Sequence, residues 1–463
     1  MCIRDRTWCL LDLVRLRIRG QGKLGYLGMA CQLREDPLRG MVGLMPKIPD
    51  PWRRTLTVAI PVAAVVLGFQ IAWFLEVFEA ADPLAFALRD WIQFHRTAVR
   101  LASWSLGELY PGELVVGGPE GAPDWFFFFY PPFAAYGTLP LALLTPLQAY
   151  VACALAVAGV TAVAVALMTG SLGYGPRERV IAMVLLVASA PWNAAVIVGH
   201  LSPGLLLAPA LAFVAHRRGR PFLAGAALGL MIAKPNWGLP LLALLFIGRR
   251  REMVYGFLAA SALLLFSSLP MGFGVWADWM ETMRSFSQVI QDQLPPWKQA
   301  TLLASLQSLT GRTVSHPLIG GAWFVAGGGI MLGAAWSWWR WGSSDARLPR
   351  LIAVGLLAIL TANPYAFFYD ALLALPAALI LFAPGSRYRS MRLRSATRWV
   401  SATAYSWMWI QFFVGREMVP SLLGIILAAW TILELADLLL DRDTMAPQRK
   451  EGRLAGSEPA PGP

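Results

Sequence analysis

The chain is 463 residues long, 57% hydrophobic and 14% charged, with a mean hydropathy of +0.55 and a formal net charge of +12. A soluble domain carries about 25% Asp, Glu, Lys and Arg, and one this apolar would expose large hydrophobic patches, so the composition excludes a soluble enzyme and requires a lipid bilayer as partner. The positive charge is not a nucleic-acid footprint: half of the excess sits in residues 1–54 and most of the rest in short loops between apolar runs, the pattern of the positive-inside rule.

Residues 1–54 are basic, Gly-rich and lack a long apolar run. They match neither a secretory signal nor a lipid anchor. A natural start at Met41 or Met45 and a disordered cytoplasmic extension both fit them. Residues 55–440 form the membrane domain, and 441–463 read as a disordered tail. Cys2, Cys9, Cys31 and Cys153 show no paired spacing, so neither a disulfide framework nor a structural zinc is expected.

The membrane domain begins with an uncharged run over 55–75. Uncharged runs follow at 125–176, 253–275, 317–339, 399–415 and 418–433, with shorter apolar stretches after His200, Pro221, Pro235, Leu351 and Ala371. At roughly 20 residues per span this predicts about ten to twelve crossings. Backbone groups in lipid must be satisfied within each segment, so the predicted fold is an all-α, polytopic transmembrane helical bundle. Basic loops at 53–54, 177–179, 216–220, 249–251, 340–350 and 387–398 mark the cytoplasm. Two larger loops, 78–124 and 276–316, then fall on the extracytoplasmic side. The run 125–176 conflicts with this parity. It is too long for one crossing, and two crossings would put Arg177 outside. A re-entrant first half or a third short crossing would resolve it.

In the first outer loop, Trp91, Phe94, Ala98 and Leu101 recur at helical spacing, with Asp90, Gln93, Thr97 and Arg100 on the other side. The pattern predicts an amphipathic helix lying in the interface, with Asp90 at its N-terminus facing water or a cavity. An acidic residue there is also favoured simply by the helix dipole. Phe126 to Phe129 followed by Tyr130-Pro131-Pro132 reads as an aromatic belt and a helix break.

Gly199-His200-Leu201-Ser202-Pro203 interrupts an apolar stretch. His200 is either a satisfied helix-end residue or a donor to a phosphate oxygen. Lys234 follows thirteen uncharged residues and precedes fourteen. A lysine inside the bilayer costs roughly 2.5–3.5 kcal/mol, so it has a partner, a job or a snorkelling route to the interface. The second outer loop carries Arg284, Lys298 and Arg312 among Trp and Gln side chains suited to sugar rings or to a membrane surface. Asn363-Pro364-Tyr365 leads to Asp370, a carboxylate at the mouth of a span.

The order of these features resembles glycosyltransferase family 87, a mannosyltransferase-like branch of the GT-C superfamily that uses polyprenyl-phosphate sugars. The similar pieces are DWIQFHRTAVRL and GELYP, then YPPF, PLALL, GHLSPGLLL, AGAALGLMIAKPNWGLPLLALL and NPYAFFYD. They run from about residue 85 to 375. Two departures stand out: the family's aromatic pair after the Asp is Phe94 and His95 here, and the Gln of its Gly-Gln motif is His200. The resemblance implies a GT-C-like bundle in the plasma membrane with its active site on the extracytoplasmic side. It further implies inverting transfer of a hexose, mannose first, from a polyprenyl-phosphate donor to a glycan or glycolipid acceptor. Asp90 stands at the catalytic aspartate position. Lys234, with His200 and Arg284 behind it, would hold the donor phosphate; Asp370, Tyr365, Tyr130 and His95 would contact sugar or acceptor. No cofactor and no metal are expected. The competing class is a multi-pass transporter or lipid flippase.

Overall fold

The computed structural model describes residues 90–110, 128–293, 295–384, 386, 388, 390–414 and 419–440, together with isolated helical positions at 64, 68, 72 and 75. The chain divides into two compact units, Met1–Val58 and Ala59–Pro463. The first unit, the extension 1–54, nearly all of the run 55–75, Phe126, Phe127 and the tail 441–463 lie outside the described residues.

The described residues are α-helical, with short 3-10 segments and one isolated antiparallel bridge, Gln299 to Phe367. The all-α expectation holds. Four helices are long and apolar enough to cross a bilayer: α3 (Pro146–Ser171), α9 (Arg251–Ser267, continuing to Met271), α12 (Pro317–Trp341) and α16 (Leu423–Leu440). The bent pair α4 (Pro176–Val187) and α5 (Ala190–Val198) makes a fifth. The ten to twelve crossings predicted by counting apolar runs also require shorter helices and the run 55–75, and among the described residues the other apolar runs do form shorter helices. The runs after His200, Pro221 and Ala371 each include a 3-10 segment, at Ser202–Leu206, Leu230–Ala233 and Phe368–Ala374, which leaves helices of 8–11 residues: α6 (Leu207–Arg217), α7 (Pro221–Gly229) and α14 (Leu375–Phe382). The run after Pro235 gives α8 (Pro235–Ile247), 13 residues long.

The disputed run resolves the same way. Its first half is a short helix, α2 (Pro132–Ala135), and a 3-10 segment, Tyr136–Leu143. Only α3 is long enough to span, at about 39 Å for 26 residues. Thr145 starts it cleanly: Thr145 and Gln148 exchange side-chain hydrogen bonds in a capping box, with Pro146 at the first helical position. One crossing, not two, removes the parity conflict at Arg177.

The predicted amphipathic helix forms as α1 (Asp90–Ala102). Trp91, Phe94, Ala98 and Leu101 are buried as expected, but Gln93 and Thr97 are buried too. The helix does not rest on a bilayer surface alone. It is seated on the Tyr136–Leu143 segment and on α3, so protein covers part of its polar side.

The kink between α4 and α5 is 59°. The carbonyls it frees are met by side chains. Asn193 donates to Val187 and Ser189, while Tyr405 and Trp409 of α15 (Met391–Val414) donate to the Ala188 carbonyl. A broken helix survives at membrane depth only when such groups are satisfied. Glycine sets the closest helix pair: a Cβ at Gly225 of α7 would run into the Met253 carbonyl of α9, and one at Gly256 into the Phe222 carbonyl. In α13 (Leu348–Ala362), Leu351 through Thr361 are all buried.

The basic loops are bonded to one another. Arg217 donates to the Gly170 and Ser171 carbonyls, His216 meets the Asp345 carbonyl, and Arg250 reaches Gly342 and Asp345. From that end α7 and the 3-10 turn after it climb thirteen residues to Lys234, and α8 descends thirteen back. Lys234 therefore sits about 20 Å away from the basic loops.

Candidate active site

Three breaks in the helices end on polar residues, and these three meet. Gly199 closes α5 in the left-handed conformation, with φ +64°. It turns the chain into His200 and Ser202. Lys234 is the last residue before α8, where Pro235 occupies the first helical position. Asp370 lies in the Phe368–Ala374 turn, with one carboxylate oxygen accepting the Phe367 N–H at 3.0 Å.

The Asp370 carboxylate is 4% exposed. It also accepts Lys234 Nζ at 2.8 Å and 3.0 Å and Ser202 Oγ at 2.9 Å. One buried carboxylate thus ties three breaks together, and removing either partner of the pair would leave an uncompensated buried charge. The Lys234 ammonium lies 6.0 Å from the Tyr130 ring centroid and 5.9 Å from that of Tyr369. At this distance both ring faces add cation–π attraction. His200 stacks on Tyr369 at 4.2 Å and meets Phe94 of α1 edge-on at 5.5 Å.

His200 receives the Ser202 N–H on Nδ1 at 3.2 Å, so the ring proton belongs on Nε2. Burial first, and Lys234 second, hold its pKa well below the usual imidazole range. It offers an N–H, not a charge.

Asp90 occupies the first turn of α1, partly open to solvent. Desolvation by the surrounding protein raises its carboxyl to about 6, and the ammonium groups of Lys298 and then Lys234 pull the other way. Tyr130 and Tyr369 lie within electrostatic reach of both Asp90 and Asp370, which places the two carboxylates around one pair of aromatic rings. The Tyr130 hydroxyl is buried beside Ser202 without a well-formed hydrogen bond, and Gln93, one turn on from Asp90, has a buried Oε1 in the same condition. Such groups each cost about 1–3 kcal/mol until a partner arrives.

Of the residues predicted from sequence, the fold brings together Asp90, Lys234, His200, Asp370 and Tyr130. Three others have partners of their own. His95 bonds the Leu144 carbonyl at 3.1 Å and pins α1 to the segment beneath it. Arg284 is exposed on α10 (Phe273–Gln293), beside Glu281 at 4.0 Å. Tyr365 packs edge-on against Phe286 at 6.2 Å. Ser202, Tyr369 and Lys298 were missed as site residues. Ser202 and Tyr369 belong to quoted motifs, but nothing in a serine or a tyrosine marked them. Lys298 looked like any loop cation beside Arg284 and Arg312. Only the bridge between Gln299 and Phe367 brings its loop to Asp370.

The arrangement offers a carboxylate poised to take a proton near neutral pH, two lysines beside it and aromatic faces, at the mouth of an apolar bundle. No curated protein matches the chain. The model of glycosyltransferase family 87 matches residues 128–364, just over half of the chain, a stretch that includes Tyr130, His200, Lys234 and Lys298 and excludes Asp90 and Asp370. With that match added to the helical bundle and its site, the chain belongs to glycosyltransferase family 87 and is a membrane glycosyltransferase.

Proposed function

We propose that the protein transfers a hexose, mannose first, from a polyprenyl-phosphate carrier to a hydroxyl of a glycan or glycolipid at the extracytoplasmic face of the plasma membrane, with inversion. The observation that carries this reading is the cluster of Lys234, Ser202 and Asp370 at the helix breaks, met by α1 through the Phe94–His200 contact, with the Asp90 carboxyl on that helix raised to about 6 by desolvation. A general base works best when its pKa lies near the working pH. Asp90 removes the acceptor proton as the acceptor oxygen bonds to the sugar's anomeric carbon. The bond from that carbon to the phosphate oxygen breaks with its electron pair, and the polyprenyl phosphate leaves as an anion. Attack and departure on opposite faces invert the anomeric centre. Fixed cations stabilise the charge that grows on the leaving oxygen.

A lipid-linked donor fits a site opened by breaks in apolar helices. The charge pattern supports this side of the membrane. Loops 216–220, 249–251 and 340–350 meet at one end of the bundle, which the positive-inside rule assigns to the cytoplasm, and Lys234 sits at the far end of two short helices.

The test is a donor screen with the full chain in lipid nanodiscs. Polyprenyl-phosphate mannose, other polyprenyl-phosphate hexoses and nucleotide sugars are each supplied with a mannolipid acceptor, and the product linkage is read by NMR. Transfer from the polyprenyl-phosphate sugar with inverted configuration supports the reading. Transfer from a nucleotide sugar alone, or with retention, overturns it.

A further inference from the structure

Two lysines act electrostatically on Asp90, and they are not equivalent. The ammonium of Lys234 is committed to both oxygens of Asp370, a carboxylate 4% exposed. Moving Lys234 onto a second anion would strip that buried carboxylate of its counter-ion, a strongly unfavourable change. Lys298 has no ion pair among the described residues. Its ammonium packs 5.4 Å from the ring centroid of its neighbour Trp297 and is half-exposed.

Its loop is nevertheless held firmly. Ala300 N–H donates to the Ala366 carbonyl at 2.9 Å, and Gln299 forms the bridge with Phe367, which attaches the loop to the turn carrying Asp370. Gln411 of α15 is 2% exposed. Its Nε2 donates to the carbonyls of Trp297 at 2.8 Å and Gln299 at 3.1 Å, the two residues that flank Lys298. Ser421 in turn donates to Gln411 Oε1 at 3.2 Å. A buried amide that makes all these bonds fixes the backbone on both sides of a lysine that has no ion pair among the described residues. A preorganised cation costs no rearrangement when the anion arrives.

We propose that Lys298 is the group that receives the lipid phosphate, that Gln411 is the positioning residue that holds it there, and that Lys234 serves to fix Asp370 and the three helix breaks. This rests on the polyprenyl-phosphate reading above.

Binding separates the two. The full chain in nanodiscs is titrated with polyprenyl phosphate and, separately, with the neutral polyprenol, following tryptophan fluorescence. Wild type prefers the phosphate. Lys298→Met and Lys298→Gln lose that preference by about tenfold or more, Lys298→Arg keeps most of it, and Gln411→Leu loses part of it. Polyprenol binding stays the same in all four variants, which a general folding defect would not allow. Wild-type preference retained in both Lys298→Met and Lys298→Gln overturns the Lys298 assignment and leaves the donor reading standing. Preference unchanged in Gln411→Leu overturns the positioning role. A wild-type protein that does not distinguish phosphate from alcohol removes the donor reading and this proposal with it.

Discussion

At Asp90 the chemistry and the stability of the fold pull in opposite directions. Only the carboxylate can accept a proton, so kcat/KM should fall with unit slope below pH about 6 and level off above it. The raised pKa also means that folding favours the protonated form. Asp90 therefore contributes stability below its ordinary value of 3.8, and that contribution is lost as pH rises through about 6. Asp90→Asn should accordingly gain thermal midpoint over wild type at pH 8 but not at pH 4, as measured by scanning fluorimetry in nanodiscs. Lys234 and Asp370 were readable as sequence because a charge beside or inside an apolar run is expensive and rarely idle, whereas Asp90 stood out only by its place in the family resemblance. Lys298 was not readable, because a loop cation carries no such cost. What distinguishes it is a backbone bridge to residue 367 and a glutamine more than a hundred residues further along.

At the scale of elements, the breaks matter more than the spans. Apolar run length located the membrane domain but not the breaks within it. The same runs contain the 3-10 turns that deliver Ser202, Lys234 and Asp370. Hydropathy sums do not see a turn that is itself apolar, such as Leu230–Ala233. The amphipathic pattern of α1 was legible, while the burial of Gln93 and Thr97 depends on the Tyr136–Leu143 segment that lies against it.

Gly199 joins these parts. Its φ of +64° suits glycine, and a Cβ there would come within 2.8 Å of the Trp91 Cβ on α1. Gly199→Val should push α1, and Asp90 with it, out of register. A displacement of about 1 Å would lower kcat/KM by about a hundredfold. A wild-type transfer rate in this variant would show that the contact does not position the base.

At the scale of the whole molecule, the two ends of the bundle hold their charges differently. At the site end the buried ion pair is Lys234 with Asp370. At the basic end, Arg350 bonds Glu434 and Asp437 at 2.7 Å each, and Tyr388 donates to Glu434 at 2.7 Å. Glu434 and Asp437 are 1% and 2% exposed. Arg350→Met leaves two buried carboxylates without their cation and should destabilise the fold by about 3–5 kcal/mol. Combining it with Glu434→Gln and Asp437→Asn should recover much of the loss in thermal unfolding. Transfer by the folded fraction should stay near wild type, because the network lies at the end away from Lys234.

The central claim is that Asp90 is the base of a lipid-phosphate hexosyltransferase, and single-turnover transfer tests it most directly. Wild type and Asp90→Asn, both in nanodiscs and saturated with polyprenyl-phosphate mannose, are given a mannolipid acceptor at pH 7.5. The account predicts unchanged polyprenyl-phosphate binding and transfer slowed by about 10²–10⁴-fold in the variant. Transfer by Asp90→Asn at the wild-type rate would contradict it.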